Sequence, residues 1–130
     1  MNRERAAELL ESVLGWLTDS DSILRETVGT GRKILLSEEE AGILQKNADD
    51  LVDAICWISE GLTQTAEYHR ISITTAEMLA VLEKISDSAA NRDYAYLSDI
   101  IEYDIFPVFE EWRETLSAAE KSYTISSESE

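Results

Sequence analysis

The carboxylates Asp99, Glu102 and Asp104 lie close together in the sequence and are candidates for acid–base chemistry. Paired carboxylates act as general acid and base when burial separates their pKa values. By the helical period, Asp104 lies about 80° from the centre of the expected core face, closest to the interior. We expect Asp104 to be half buried beside Arg92 or Arg113. On it rests one hypothesis, a ligand- or metal-binding bundle or an enzyme that uses interior carboxylates.

The sequence contains few residues for metal or phosphate chemistry, because His69 and Cys56 are its only histidine and cysteine. A carboxylate-bridged di-metal bundle needs two Glu-x-x-His pairs, and the sequence has none. One histidine and one cysteine are also too few for a zinc site within one chain. The segment "GTGRK" at 29–33 follows a predicted helix, whereas a phosphate-binding loop follows a strand. We therefore expect no catalytic residue, no metal and no cofactor, and we favour a protein that is not an enzyme.

The charge of the chain limits its partners. The formal net charge is −16, from 27 acidic and 11 basic residues. Such a surface repels phosphate backbones and anionic membranes, so we expect neither nucleic acid nor membrane as a partner. The charge either keeps the protein soluble or attracts a basic partner, and both interpretations stay open. The single cysteine excludes an intrachain disulfide and fits a reducing compartment, so we expect a cytoplasmic location.

Hydrophobic spacings of three and four residues predict four helices that would position these side chains. The first begins near Asn2, and Gly29 and Gly31 are expected to end it as C-terminal caps. The second begins at a capping box, in which Ser37 and Glu40 each bond the other's free backbone N–H. Its apolar positions then alternate at three and four, which is the pattern of helical-bundle seams.

The second half of the chain repeats these signals. "TTAE" is another capping box, Thr74 with Glu77, and Asp93 is a sound N-cap for the fourth helix. Four amphipathic helices with mostly short connections predict an all-α fold, an antiparallel up-down-up-down four-helix bundle. We expect a single helical-bundle domain over residues 1–119 and a disordered acidic tail over residues 120–130, where the periodicity is lost.

The fourth helix has apolar side chains on two faces. The segment "DYAYLSDIIEYDIFPVFEEW" contains six of the ten aromatic residues of the chain. On a helical wheel, one set of side chains forms the core face: Tyr94, Leu97, Ile101, Ile105, Val108, Trp112 and Leu116. A second stripe lies roughly opposite and consists of Tyr96, Ile100, Tyr103 and Pro107. Pro107 removes a backbone hydrogen bond, so we also expect a kink at this residue.

A helix that is apolar on two sides either lies between two layers or binds something. Tyrosines at the rim of a core, with their hydroxyls in water, are the simpler interpretation. The functional interpretation is a partner-binding surface formed by Tyr96, Ile100, Tyr103 and Pro107, with Trp57 as a neighbour beside the small Gly61. It predicts a non-enzymatic adaptor or chaperone-like protein that binds a protein partner or a second copy of itself.

Two stretches also resemble a known group of proteins. "NRDYAYLSDIIEYDIFPVFEEW" and "DAICWISEGL" resemble small uncharacterised helical-bundle proteins of Gram-positive bacteria, over about half of the chain. This resemblance implies a helical fold and supplies no functional residue, because the group has no established activity. In architecture alone, a small acidic bundle is similar to flagellar and secretion export chaperones, and such a likeness implies fold rather than function.

Overall fold

Helices form the whole regular structure of the described residues. The computed structural model describes residues 2–69, 71 and 75–128, with side chains at 2–69, 71 and 77–119. The elements are α1 (Arg3–Asp19), α2 (Asp21–Gly31), α3 (Glu38–Gln64), a 3₁₀ turn (Ala66–Tyr68), α4 (Thr75–Ala90), α5 (Tyr94–Asp99), a π-helical segment (Ile100–Ile105) and α6 (Phe106–Glu128). The predicted all-α class is confirmed.

The first predicted helix is divided at Ser20. The side chain of Asn2 caps α1 by accepting a hydrogen bond from the Arg5 N–H at 2.8 Å. Ser20 keeps right-handed helical angles and donates its N–H to the Trp16 carbonyl, so α2 follows α1 after a single residue. The helix ends at Gly31, as predicted, but a left-handed glycine cap is not formed, because no glycine of the described ranges has a positive φ.

A predicted capping box begins α3, and a histidine fixes the segment after it. The Glu40 N–H donates to Ser37 Oγ at 3.0 Å, and the Ser37 N–H donates to Glu40 Oε1 at 3.1 Å, as predicted. Beyond α3, His69 Nε2 lies 2.8 Å from the Leu62 carbonyl, and its Nδ1 accepts from the Ile71 N–H at 3.0 Å. Thr74, of the second predicted box, lies outside the described residues.

The turn between α4 and α5 is a Schellman motif. The Arg92 N–H donates to the Ala89 carbonyl at 3.1 Å, and the Asp93 N–H donates to the Ser88 carbonyl at 2.8 Å. This motif requires a residue with left-handed backbone angles just after the helix, and Arg92 is that residue, with φ 56°. Asp93 then caps α5 by accepting from the Tyr96 N–H at 3.1 Å, as predicted.

The core face of the fourth predicted helix is largely confirmed. Its buried side chains include Tyr94, Leu97, Ile101, Ile105, Trp112 and Leu116. Phe109 is buried in place of the predicted Val108, which is half buried. A π turn contains more residues than an α turn and therefore rotates all later positions relative to a straight wheel. Helix α6 continues to Glu128, and the domain boundary at residue 119 stays a prediction.

A single hydrophobic cluster joins the described helices. The main helix pairs are α1 with α6, α2 with α5 and α3 with α4. Between α1 and α6, the Trp16 and Phe109 rings meet edge to face with centroids 5.8 Å apart, and Phe109 and Trp112 lie 5.6 Å apart. In the part of the chain that the structure describes, no helix has the length and apolar character needed to cross a membrane.

Candidate functional site

The π-helical segment Ile100–Ile105, called the π segment below, positions the candidate site. The π-helical hydrogen bond that identifies this segment runs from the Phe106 N–H to the Ile101 carbonyl, five residues earlier. Pro107 follows as the second residue of α6, and it has no N–H to donate to a carbonyl of the preceding turn. The wider turn thus accommodates the proline within an otherwise continuous helical rod.

Most of the predicted stripe is exposed on this rod. Tyr96 is 42% exposed, Tyr103 is 68% exposed, and Pro107 is also exposed. Ile100 is the exception, at 2% exposure, and its predicted place on the outer surface is wrong. The reason is that Ile100 begins the π segment, which contacts both α4 and α2, so the buried face of the rod is wider here than one stripe. We call Tyr96, Tyr103 and Pro107 the tyrosine surface.

Trp57 does not join the tyrosine surface. Its side chain is 41% exposed on α3, which packs mainly against α1, α2 and α4. Gly61, one turn further along α3, faces α1: a Cβ at this position would lie 3.5 Å from Leu9 Cδ2. The small residue beside Trp57 therefore permits the approach of a helix of the same chain, and Trp57 lies towards that side.

An ion-pair cluster borders the tyrosine surface. Arg32, which directly follows α2, donates to Asp99 Oδ1 at 2.9 Å and to a carboxylate oxygen of Glu102. The hydrogen bond from Arg32 lowers the pKa of Glu102, with a smaller contribution from a hydrogen bond of Tyr103. The same two carboxylates raise the pKa of Arg32. Two carboxylates share one guanidinium, so the cluster remains negatively charged.

The acid–base hypothesis needs an interior carboxylate, and none of the described carboxylates is buried. Asp104 is 38% exposed in its side chain and pairs with Lys84 at 3.5 Å, so its predicted partners are wrong. Arg113 instead lies 3.4 Å from Asp21, the first residue of α2. All buried polar side chains of the described part are hydroxyls: Ser20, Thr27, Thr65, Ser88 and Ser98. In the same part, no three metal-ligating side chains come together.

Comparison with known proteins identifies a family. Residues 33–115 match a family described as "Domain of unknown function (DUF8042)". The chain belongs to the DUF8042 family. No curated protein matches it, and neither does any solved structure. The DUF8042 region contains the whole tyrosine surface, whereas Arg32 and helices α1 and α2 precede it.

Sequence reasoning missed a cleft between α2 and α3, lined by both apolar and polar side chains, among the latter Glu26 and Glu40. The cleft has a volume of about 430 Å³, and Ile23 and Ile43 line it while 54% and 52% exposed. Ile34 and Leu35, in the loop between these helices, are 100% and 86% exposed. The signal was the apolar run "ILL" in a loop, since three consecutive apolar residues are unusual where the chain is exposed. We call this feature the α2–α3 cleft.

A second groove of the DUF8042 region lies between α3 and α4. It has a volume of about 330 Å³ and is lined mainly by apolar side chains, among them Met78, Leu79 and Leu82. The exposed Cys56 borders it, and Ser59 Oγ is buried there with no hydrogen-bond partner among the described atoms. The groove is shallow and open, and one serine hydroxyl selects no ligand.

Proposed function

We propose that this DUF8042 protein is a non-enzymatic acidic helical-bundle protein that binds a basic partner protein through its tyrosine surface. Its role would be that of an adaptor or a chaperone-like module. The supporting observation is the exposure of Tyr96 and Tyr103, at 42% and 68%, on a rod whose other large apolar side chains are mostly buried. The two tyrosines are seven residues apart on this rod, about 10 Å along its axis at the helical rise, so one partner segment can reach both.

Tyrosine is well suited to this task. It supplies a large contact area, loses little conformational freedom on binding, and is enriched among the residues that dominate interface energies. Its ring also attracts lysine and arginine side chains through cation–π contacts. The adjacent Pro107 adds a rigid apolar contact, because its ring is already fixed. These properties favour an extended or helical segment rich in lysine or arginine as the bound element.

The charge around the tyrosine surface supports a basic partner. Asp93 and Asp99 are exposed near Tyr96, and Asp104 is half exposed next to Tyr103. The whole chain has a formal net charge of −16, so its field attracts a positively charged segment from a distance. Electrostatic complementarity of this kind raises the association rate and selects against acidic partners.

We also infer that the helices follow an antiparallel up-down-up-down order. Near the start of α3, Asn47 donates a hydrogen bond to Thr27 of α2 at 3.0 Å. Near its end, Gly61 lies against Leu9 of α1. As residue numbers rise along α3, the numbers of the residues that it contacts in α2 and α1 fall, which is the pattern of antiparallel neighbours. A cytoplasmic location and a Gram-positive bacterial source remain proposals, supported by the single cysteine and by the sequence resemblance.

The test is capture of partners by purified protein, followed by binding measurements with one identified partner. The double variant Tyr96→Ala and Tyr103→Ala is expected to weaken binding of that partner by about tenfold to a hundredfold, as for interface tyrosines. The captured partner is expected to present a lysine- or arginine-rich segment at the contact. An acidic or neutral contact segment would contradict the proposal.

Trp57→Ala is the matched control, because Trp57 has an exposed fraction of 41%, close to that of Tyr96, on a different side of the bundle. We expect this variant to bind the partner as the wild type does. Equal loss in Trp57→Ala, or full binding by the double tyrosine variant, would show that the tyrosine surface is not the binding site.

A further inference from the structure

The π segment and the proline after it leave two main-chain carbonyls without their usual helical donors. In an α-helix, the Glu102 carbonyl would accept from the N–H of Phe106, four residues later. The Phe106 N–H instead donates to the Ile101 carbonyl. Pro107 has no N–H, so it donates neither to Glu102 nor to Tyr103, whose carbonyl would accept from residue 107 in an α-helix. These two carbonyls must therefore find donors outside the helix.

The Tyr103 carbonyl belongs to the tyrosine surface. Carbonyls of a helix point along its axis towards the residue four positions later, so this one lies between Tyr103 and Pro107. Both residues are exposed, Tyr103 at 68%. A donor from a partner can replace solvent at such an acceptor when it makes an equally good hydrogen bond. The tyrosine surface thus includes a main-chain acceptor beside an aromatic ring.

Unpaired carboxylates lie one and two turns beyond this acceptor. Glu111 and Glu114 follow Pro107 by four and seven residues, so they lie on the same face of α6. Both are exposed, and neither forms an ion pair within the described part of the chain. Their negative charge favours a cation at the free carbonyls.

The basic side chains bound to the π segment and the end of α5 are already paired. Arg32 lies between the carboxylates of Asp99 and Glu102, and Lys84 pairs with Asp104. These pairs keep the two basic groups on neighbouring carboxylates, so the cation that the free carbonyls favour has to come from another molecule.

A guanidinium fits this arrangement better than an ammonium does. Its planar fork has five N–H donors, so it can bond two neighbouring carbonyls at once, and it stacks on aromatic rings. We infer that the Glu102 and Tyr103 carbonyls anchor one arginine of the basic partner, whose guanidinium stacks on the Tyr103 ring. The inference rests on the proposed function and names the side chain that the tyrosine surface selects.

NMR titration of the full chain with two synthetic peptides tests the anchor. One peptide alternates arginine and glycine, the other alternates lysine and glycine, and both have blocked ends. We expect the arginine peptide to move the carbonyl carbon signals of Glu102 and Tyr103. We also expect it to bind about threefold to tenfold more tightly than the lysine peptide, because it makes an additional hydrogen bond.

Two replacements of Pro107 isolate the effect of the missing N–H. Pro107→Ala supplies an N–H that occupies a free carbonyl within the helix, and it should weaken binding of the arginine peptide by about threefold to tenfold. Replacement of Pro107 by lactic acid is the matched control, because it has the same methyl group with an ester oxygen in place of the N–H. Both replacements remove the proline ring, so only the N–H distinguishes them, and the lactic acid protein should bind more tightly.

Four results would each overturn the inference: unmoved carbonyl signals of Glu102 and Tyr103, equal binding of the two peptides, equal affinities of the two Pro107 replacements, or no binding of the arginine peptide up to about 1 mM. The proposed function would survive any of them if a captured partner still loses affinity in the double variant Tyr96→Ala and Tyr103→Ala. Full binding of the captured partner by that double variant would instead remove the proposed function.

Discussion

Gly31 of α2 lies directly against Ser98 of α5, with no room for a side chain between them. A Cβ at Gly31 would overlap Ser98 Oγ and would lie 2.8 Å from the Tyr94 carbonyl oxygen. The closeness of this contact explains how Arg32, the next residue, reaches Asp99 at the edge of the tyrosine surface. The glycine thus determines where α2 meets the rod that contains the candidate site.

Gly31→Ala is expected to lower the free energy of unfolding by about 1–3 kcal/mol, because the methyl group overpacks the α2–α5 contact. Gly29→Ala is the control, since Gly29 is exposed in the same helix and a Cβ added there would meet nothing within 4 Å. That variant should be more stable by about 0.5–1 kcal/mol, as for glycine replaced within a helix. Urea unfolding measures both changes, and two changes of the same sign would contradict the argument.

Arg92→Gly is expected to stabilise the protein by about 0.5–1 kcal/mol. Arg92 is the left-handed residue of the Schellman motif, with φ 56°, a conformation that is costly for every residue with a Cβ except asparagine and aspartate. Glycine removes this cost, partly offset by its greater freedom in the unfolded chain. Arg92→Ala retains the Cβ and should leave the thermal midpoint almost unchanged. An equal gain in Arg92→Ala would assign the effect to the lost charge.

Acid is expected to weaken the contact between Arg32 and the rod. Arg32 lowers the pKa of Glu102, so this carboxylate contributes stability above its unfolded pKa and loses it as the pH falls through the folded value. Glu102→Gln should therefore reduce the loss of stability between about pH 6 and pH 3. Arg32→Gln should have the same effect, because it removes the guanidinium that lowers the pKa of Glu102.

A double-mutant cycle over these two residues separates their interaction from other effects. Urea unfolding at several pH values is the measurement, and the double variant should show no further change in pH dependence beyond either single variant. Additive changes would mean that Glu102 and Arg32 act independently of each other.

Local signals in the sequence predicted local structure well. The capping box of Ser37 and Glu40 was predicted because its two hydrogen bonds join residues only three positions apart. The exposed Tyr96 and Tyr103 followed from the helical period alone. The burial of Ile100 did not, because it depends on α4, which contacts the same rod from elsewhere in the chain. Gly31 looked like a helix cap for the same reason: only the neighbouring α5 reveals why a side chain is excluded.

The ion-pair partner of Asp104 could not be predicted from the sequence either. Arg92 and Arg113 were expected because they are near in the chain, but Lys84 of α4 reaches the carboxylate across a helix pair. The exposed Ile34 and Leu35 could have been found from the run "ILL", whereas the cleft beside them requires the packing of α2 on α3. Sequence periodicity thus predicts faces of single helices, and contacts between helices decide which faces remain free.

His69→Ala is expected to destabilise the protein by about 1–2 kcal/mol, because two hydrogen bonds to backbone groups are lost. The Ile71 N–H can only donate, so His69 Nδ1 accepts and Nε2–H donates to the Leu62 carbonyl. The ring thereby joins the end of α3 to the segment that follows. Glu67→Ala, at an exposed position nearby, is the control and should change stability little. Hydrogen exchange of the Ile71 amide should accelerate in the histidine variant alone.

Salt is expected to weaken the proposed interaction with a basic partner. Attraction between the acidic tyrosine surface and a basic partner is screened by salt, so the partner's dissociation constant should rise between about 50 and 500 mM salt. Titrations of the partner at several salt concentrations measure this change. A partner affinity that increases with salt would indicate apolar rather than charged recognition at Tyr96 and Tyr103.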